Sequence, residues 1–128
     1  MILVDTSVWI DHLHRSEPTL VSALKAGNVG SHPGVIEDLA LGTLADRDKF
    51  LALLADLAGF PVLSHEELLN LVAAHALWGC GLSPTDVHLL GAVLLSPGSS
   101  LWTRDKRLIA AADRIGVSRF EPPTKGSR

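Results

Sequence analysis

The chain has 128 residues, 47% hydrophobic and 20% charged, with a formal net charge of −3 and a single cysteine, Cys80. That length supports one domain burying roughly two thirds of the surface exposed by the unfolded chain, with no need of a second. The composition excludes a disordered chain, the lone cysteine excludes an internal disulfide, and the negative balance argues against broad attraction to nucleic acid, so contact with phosphates would need a local group of cations.

Leu3-Val4 reads as a short buried strand that ends at Asp5. Helical spacing follows over residues 6–14 and 19–26, then Asn28-Val29-Gly30 reads as a second strand. Two further helices are expected over 33–44 and 46–57, a strand at Phe60-Pro61-Val62-Leu63, and helices over 66–78 and 85–95. Ser100-Leu101-Trp102 reads as a strand, 104–115 as a helix, and Gly116-Val117 as a terminal strand. Short strands alternating with helices imply βαβ units and a parallel sheet.

Ser83-Pro84-Thr85-Asp86 offers a Ser N-cap, Pro at the first helical position and an acid at the third, close to a capping box. Thr103 is expected to cap the helix that follows it, and Gly27, Gly59 and Gly116 to stop the helices that precede them. Residues 1–117 are expected to form the folded domain and 118–128 a short flexible tail. No basic leader precedes an apolar segment, and no apolar run approaches the ~20 residues of a membrane span, so a cytoplasmic setting is expected.

Asp5, Asp86 and Asp105 all fall at strand ends or helix starts, junctions that a parallel sheet gathers on its carboxyl edge, where ligands collect. Each has a plain explanation, because acids at helix N-termini cap free N–H groups and meet the positive end of the dipole. Together they imply more: carboxylates that converge repel one another and call for a cation. Hard oxygen donors suit Mg²⁺, with Mn²⁺ as substitute. A fourth acid comes from Glu37-Asp38, two neighbours that point about 100° apart on a helix, so only one can face a shared site squarely. Spacing alone leaves that choice open.

Thr6, Ser7 and Thr103 are candidates to support the acids by hydrogen bonding, as an alternative to simple capping. Arg104, Lys106 and Arg107 flank Asp105 and are candidates for phosphate contact, against the plainer reading of a solvated helix face. His12 and His14 do not share a helix face, and no His or Cys spacing resembles a zinc site. His88 and Cys80 read as packed residues. Trp9, Leu13, Leu54 and Leu57 are expected to leave apolar surface for a homodimer or partner.

Five segments in order, Val4-Asp5-Thr6-Ser7-Val8-Trp9-Ile10-Asp11, Ile36-Glu37-Asp38-Leu39-Ala40-Leu41-Gly42, Leu77-Trp78-Gly79-Cys80-Gly81-Leu82, Asp86-Val87-His88-Leu89-Leu90 and Leu101-Trp102-Thr103-Arg104-Asp105-Lys106-Arg107-Leu108, resemble the PIN-domain ribonucleases of the VapC toxin group. The resemblance spans the chain to about Val117. It implies a three-layer α/β/α sandwich around a short parallel sheet and a Mg²⁺- or Mn²⁺-dependent endoribonuclease blocked by a small cognate antitoxin. It also implies catalytic roles for Asp5, Asp38, Asp86 and Asp105, with Asp5, Asp86 and Asp105 as metal ligands and Ser7, Thr103 and Glu37 in support. Similar chains carry Gly-Glu-Leu where this one has Glu37-Asp38-Leu39, so Asp38 replaces a Glu and its carboxylate is shorter by one methylene. Two other classes compete with this one. A signalling receiver domain also gathers carboxylates, but it needs an acceptor Asp after a central strand, where this chain has Ser64-His65. A non-catalytic module would use the acidic pocket to hold a basic partner segment.

Overall fold

The computed structural model describes residues 1–123. Its centre is a parallel sheet of strands β1 (Ile2–Val4), β2 (Val29–Ser31), β3 (Ala58–Gly59) and β4 (Ser100–Trp102), in the order β3-β2-β1-β4. Around it run α1 (Thr6–His14), α2 (Pro18–Lys25), α3 (Pro33–Ala40), α4 (Arg47–Asp56), α5 (His65–His75), α6 (Pro84–Leu94) and α7 (Lys106–Ile115). The whole is a three-layer α/β/α sandwich.

The first strand pairs on both sides, Leu3 with Gly30 and with Leu101. Both of its faces are therefore covered, which explains an uninterrupted apolar run in place of alternation. Leu3, Val4, Leu101, Leu89, Leu90 and Leu108 are fully buried and tie sheet to helices in one core. Helix α3 packs on α1, α4 and α6, and α6 also packs on α5 and β4.

The third strand differs from expectation. Phe60 and Leu63 are apolar because they enter the core, whereas the strand is Ala58–Gly59, which pairs through its backbone with Gly30 and Ser31. Gly59 lies in that strand and stops no helix. Leu63 fills the space a side chain on Gly91 would occupy, so helix α6 needs glycine there. No strand forms at Gly116-Val117. Gly116 takes the left-handed conformation as the C-cap of α7, and β4 is met instead at Arg119, by a bridge to Leu101.

Residues 118–120, expected in the tail, lie against the domain. Ser118 and Phe120 exchange backbone hydrogen bonds with Leu101, and the Phe120 ring sits 4.9 Å from that of Trp102. Residues 124–128 of the expected tail lie outside the described residues. The expected apolar surface shifts too: Trp9 and Leu54 are buried and Leu57 packs on the core, while Leu13 is exposed along with Ile10, Leu41 and Trp78. Cys80 is exposed rather than packed. Among the described residues, no helix is long and apolar enough to cross a membrane.

Candidate active site

Asp5 closes β1 and occupies the N-cap position of α1, yet its side chain caps nothing. The carboxylate is buried, and its Oδ2 accepts from Ser7 Oγ at 2.7 Å and Thr103 Oγ1 at 2.7 Å. Each hydroxyl has a second bond that fixes its direction. Ser7 Oγ accepts from the Arg104 N–H at 3.1 Å, and Thr103 Oγ1 from the Asp105 N–H at 3.1 Å. The two hydroxyls thus fasten the β4–α7 loop to the end of β1, and hydrogen bonds to an ionised acceptor of this kind contribute about 1.5–3 kcal/mol each.

Thr103 therefore orients Asp5 and does not cap α7. The cap is Asp105 itself, whose Oδ1 accepts from the N–H groups of Arg107 and Leu108 at 2.9 and 3.3 Å. Asp86 completes the expected capping box: its N–H donates to Ser83 Oγ at 3.1 Å and its Oδ2 accepts from the Ser83 N–H at 2.9 Å. For Asp86 and Asp105 the capping explanation and a site role are compatible, because capping engages only one oxygen of each.

Three of these acids share one electrostatic neighbourhood. Burial pushes the Asp86 carboxyl above its ordinary range, the Ser83 N–H opposes that, and the charges of Asp5 and Asp105 push it further up. Asp38 joins through Asp5. Partial desolvation raises the carboxyl of this surface residue, the hydrogen bond donated by Thr6 Oγ1 at 3.2 Å opposes the rise, and the charges of Asp5 and Glu37 add to it. Of the adjacent pair, then, Asp38 is tied to α1 and to Asp5, while Glu37 is exposed and acts by its charge on Asp38 and His32.

Asp5, Asp38, Asp86 and Asp105 each hold one oxygen in the bonds described and leave the other without a hydrogen bond among the described residues. Among those residues no three His, Cys, Asp or Glu side chains are grouped closely enough to enclose an ion on their own. This donor set fits a hard cation that keeps much of its water and leans on one or two carboxylates, as Mg²⁺ does.

Two features escaped sequence reading. Arg104, one of three candidates for phosphate contact, is bound at 2.6 Å by both Asp11 and Glu17, which pins the β4–α7 loop to the α1–α2 corner. His32 caps α3 by accepting the Gly34 N–H at Nδ1, and its ring lies 5.6 Å from that of His88. His32 Nε2 and His88 Nδ1 are both buried and have no hydrogen-bond partner among the described residues. The only sequence signal was His-Pro-Gly at a helix start.

A parallel-sheet sandwich with four acids around its carboxyl edge defines an acidic-site α/β/α domain. The PIN domain model matches residues 2–114. The chain is 54% identical over 121 residues to Ribonuclease VapC32 from two Mycobacterium tuberculosis strains, an alignment covering 94% of this chain and 98% of each relative. It belongs to the PIN-domain family, in its VapC-type ribonuclease group.

Proposed function

We propose that this protein is a Mg²⁺- or Mn²⁺-dependent endoribonuclease, the toxin of a toxin–antitoxin pair, working in the cytoplasm on RNA and restrained by a small cognate antitoxin. The observation that supports the reading most directly is the fastening of the buried Asp5 carboxylate by Ser7 and Thr103, which joins the end of β1 to the loop that carries Asp105 and leaves one Asp5 oxygen without a hydrogen bond among the described residues. Similarity to Ribonuclease VapC32 supports RNA as the substrate.

Asp5 and Asp86 are the chief metal ligands in this reading, with Asp105 the third. A bound ion supplies a water of lowered pKa and charge to offset that building on the phosphate oxygens. Ser7 and Thr103 hold the Asp5 carboxylate in one direction, so its free oxygen needs no rearrangement to serve. Asp105 and Asp38 complete the acidic pocket and orient the attacking water, with Glu37 in electrostatic support. Exposed Ile10, Leu13 and Leu41 offer apolar surface to a second copy of the chain or to the antitoxin.

The test is cleavage of a structured RNA with Mg²⁺, Mn²⁺ or EDTA, beside Asp5→Ala and Asp86→Asn. Cleavage is expected with either ion and none in EDTA, with losses of at least ~100-fold in both variants. Cleavage that persists in EDTA or in both purified variants would sink the reading. Tight partner binding without nuclease activity would favour the non-catalytic module.

A further inference from the structure

A cavity of about 340 Å³ opens beside the first turns of α7, lined by Cys80, Lys106, Arg107, Ala110, Ala111 and Arg114. None of its three cations pairs with a carboxylate among the described residues, in contrast to Arg104 and Arg119. The net charge of −3 makes such a local group the exception on this protein. We infer that this cavity is a groove for the backbone of single-stranded RNA, in which Lys106 and Arg107 hold phosphates next to the acidic site. The inference rests on the endoribonuclease reading.

Position argues for it first. Lys106 and Arg107 are the opening residues of the helix that Asp105 caps, so a phosphate touching either lies a short step along the strand from the four acids. Two of the cations are also positioned by their surroundings. Gly81 has φ +76°, and a Cβ there would lie 2.8 Å from Arg107 Cδ, so the absent side chain leaves the surface across which Arg107 lies. Arg114 donates to the carbonyls of His75 and Ala76 at 2.8 and 3.4 Å, at the end of α5, and forms a fixed wall.

An exposed aromatic side chain lies two residues from the groove residue Cys80. Trp78 is 67% exposed, in the loop between buried Leu77 and the groove residue Cys80, whose thiol donates to the Trp78 carbonyl at 3.5 Å. Exposed indole beside unpaired cations is the combination that binds single strands, by stacking an unpaired base while the cations follow the phosphates. A duplex, with its bases stacked inside, offers nothing to that indole.

The experiment measures anisotropy of a fluorescein-labelled 2′-O-methyl RNA of about 12 nucleotides, a length within the usual range for single-strand sites, in EDTA across a salt series. Lys106→Ala/Arg107→Ala should weaken binding about tenfold at low salt and flatten the plot of log affinity against log salt by about 1.4, ~0.7 for each lost phosphate contact. Trp78→Ala should lose about fivefold or more, with Trp78→Phe recovering part of it. Lys25→Ala/Lys49→Ala, which removes equal charge elsewhere, should bind as wild type does, and thermal melts check that every variant is folded. Unchanged affinity and slope in the Lys106/Arg107 variant, with wild type binding and cleaving RNA, overturn the groove alone. A wild-type protein that neither binds nor cleaves RNA overturns the endoribonuclease reading and the groove with it.

Discussion

Asp5 and Asp38 are the same residue on neighbouring elements, yet their surroundings are opposite. Asp5 is buried and receives two hydroxyls that are themselves aimed by backbone N–H groups. Asp38 is exposed and receives one hydroxyl, from Thr6, at a longer 3.2 Å, at the lip of an apolar groove that includes Ile10, Leu13 and Leu39. The first carboxylate is fixed before any ligand arrives. The second is held by a single, longer hydrogen bond on the surface.

The sharpest break in this contrast is Thr103→Val. It removes a donor from buried Asp5 and an acceptor from the Asp105 N–H, so a stability loss of about 1–3 kcal/mol is expected in a denaturant melt, with RNA cleavage down ~10-fold or more. Wild-type cleavage in this variant would show that Ser7 alone orients Asp5. Next, Asp38→Glu restores the longer side chain. Displacement of about an ångström changes rates by up to ~100-fold, so kcat should change in this variant while Asp5→Glu, in its closed pocket, loses nearly all activity. Equal effects at the two positions would erase the distinction drawn between them.

A smaller effect is expected from Asp86→Asn without metal. The amide still accepts from the Ser83 N–H but no longer faces Asp5 and Asp105 as a charge, so the Tm of the metal-free protein should rise by a few degrees. Added Mg²⁺ should raise the Tm of wild type and leave that of the variant nearly unchanged. A lower Tm for the metal-free variant would mean that repulsion at Asp86 is not a net cost.

The smallest effect is a pH trend in stability. Burial lowers the His32 pKa from 6.5, so as pH falls below that value the unfolded chain takes up a proton that the folded one refuses, and stability drops. Asp38 and Asp86 act with the opposite sign at lower pH. Their folded carboxyls titrate above 3.8, so the folded state binds more protons there and their repulsion is relieved as pH falls. Urea melts from pH 7.5 to 5 should show the His32 loss, and His32→Gln should remove it; an unaltered slope in that variant would assign the trend elsewhere.

Much of the frame was legible because short apolar runs and caps act locally. β1, β4, the start of α1 and the Ser83 cap all follow from a few adjacent residues, whereas the strand expected at Gly116-Val117 is a helix cap. The third strand was not legible, because Ala58–Gly59 pairs through backbone alone while the stronger apolar signal at Phe60 and Leu63 reports core filling. In the site, the positions of the acids could be read from strand ends and helix starts. Their bonding could not. That Asp5 refuses the capping role its position offers, or that Arg104 is held by Asp11 and Glu17, depends on residues 98 and 93 places apart.

The bond from Thr103 to Asp5 also orders events in time. β1 precedes both of its partners in the chain yet lies between them, and of the described elements only α7 follows the second partner, β4. A chain lacking residues 100–105 keeps β2 and Ser7 but has neither β4, nor the Thr103 hydroxyl, nor the Arg104 N–H that aims Ser7. Chain ends that must meet before the sheet closes make folding slower, and here they also delay assembly of the acidic corner until almost the entire domain has been translated.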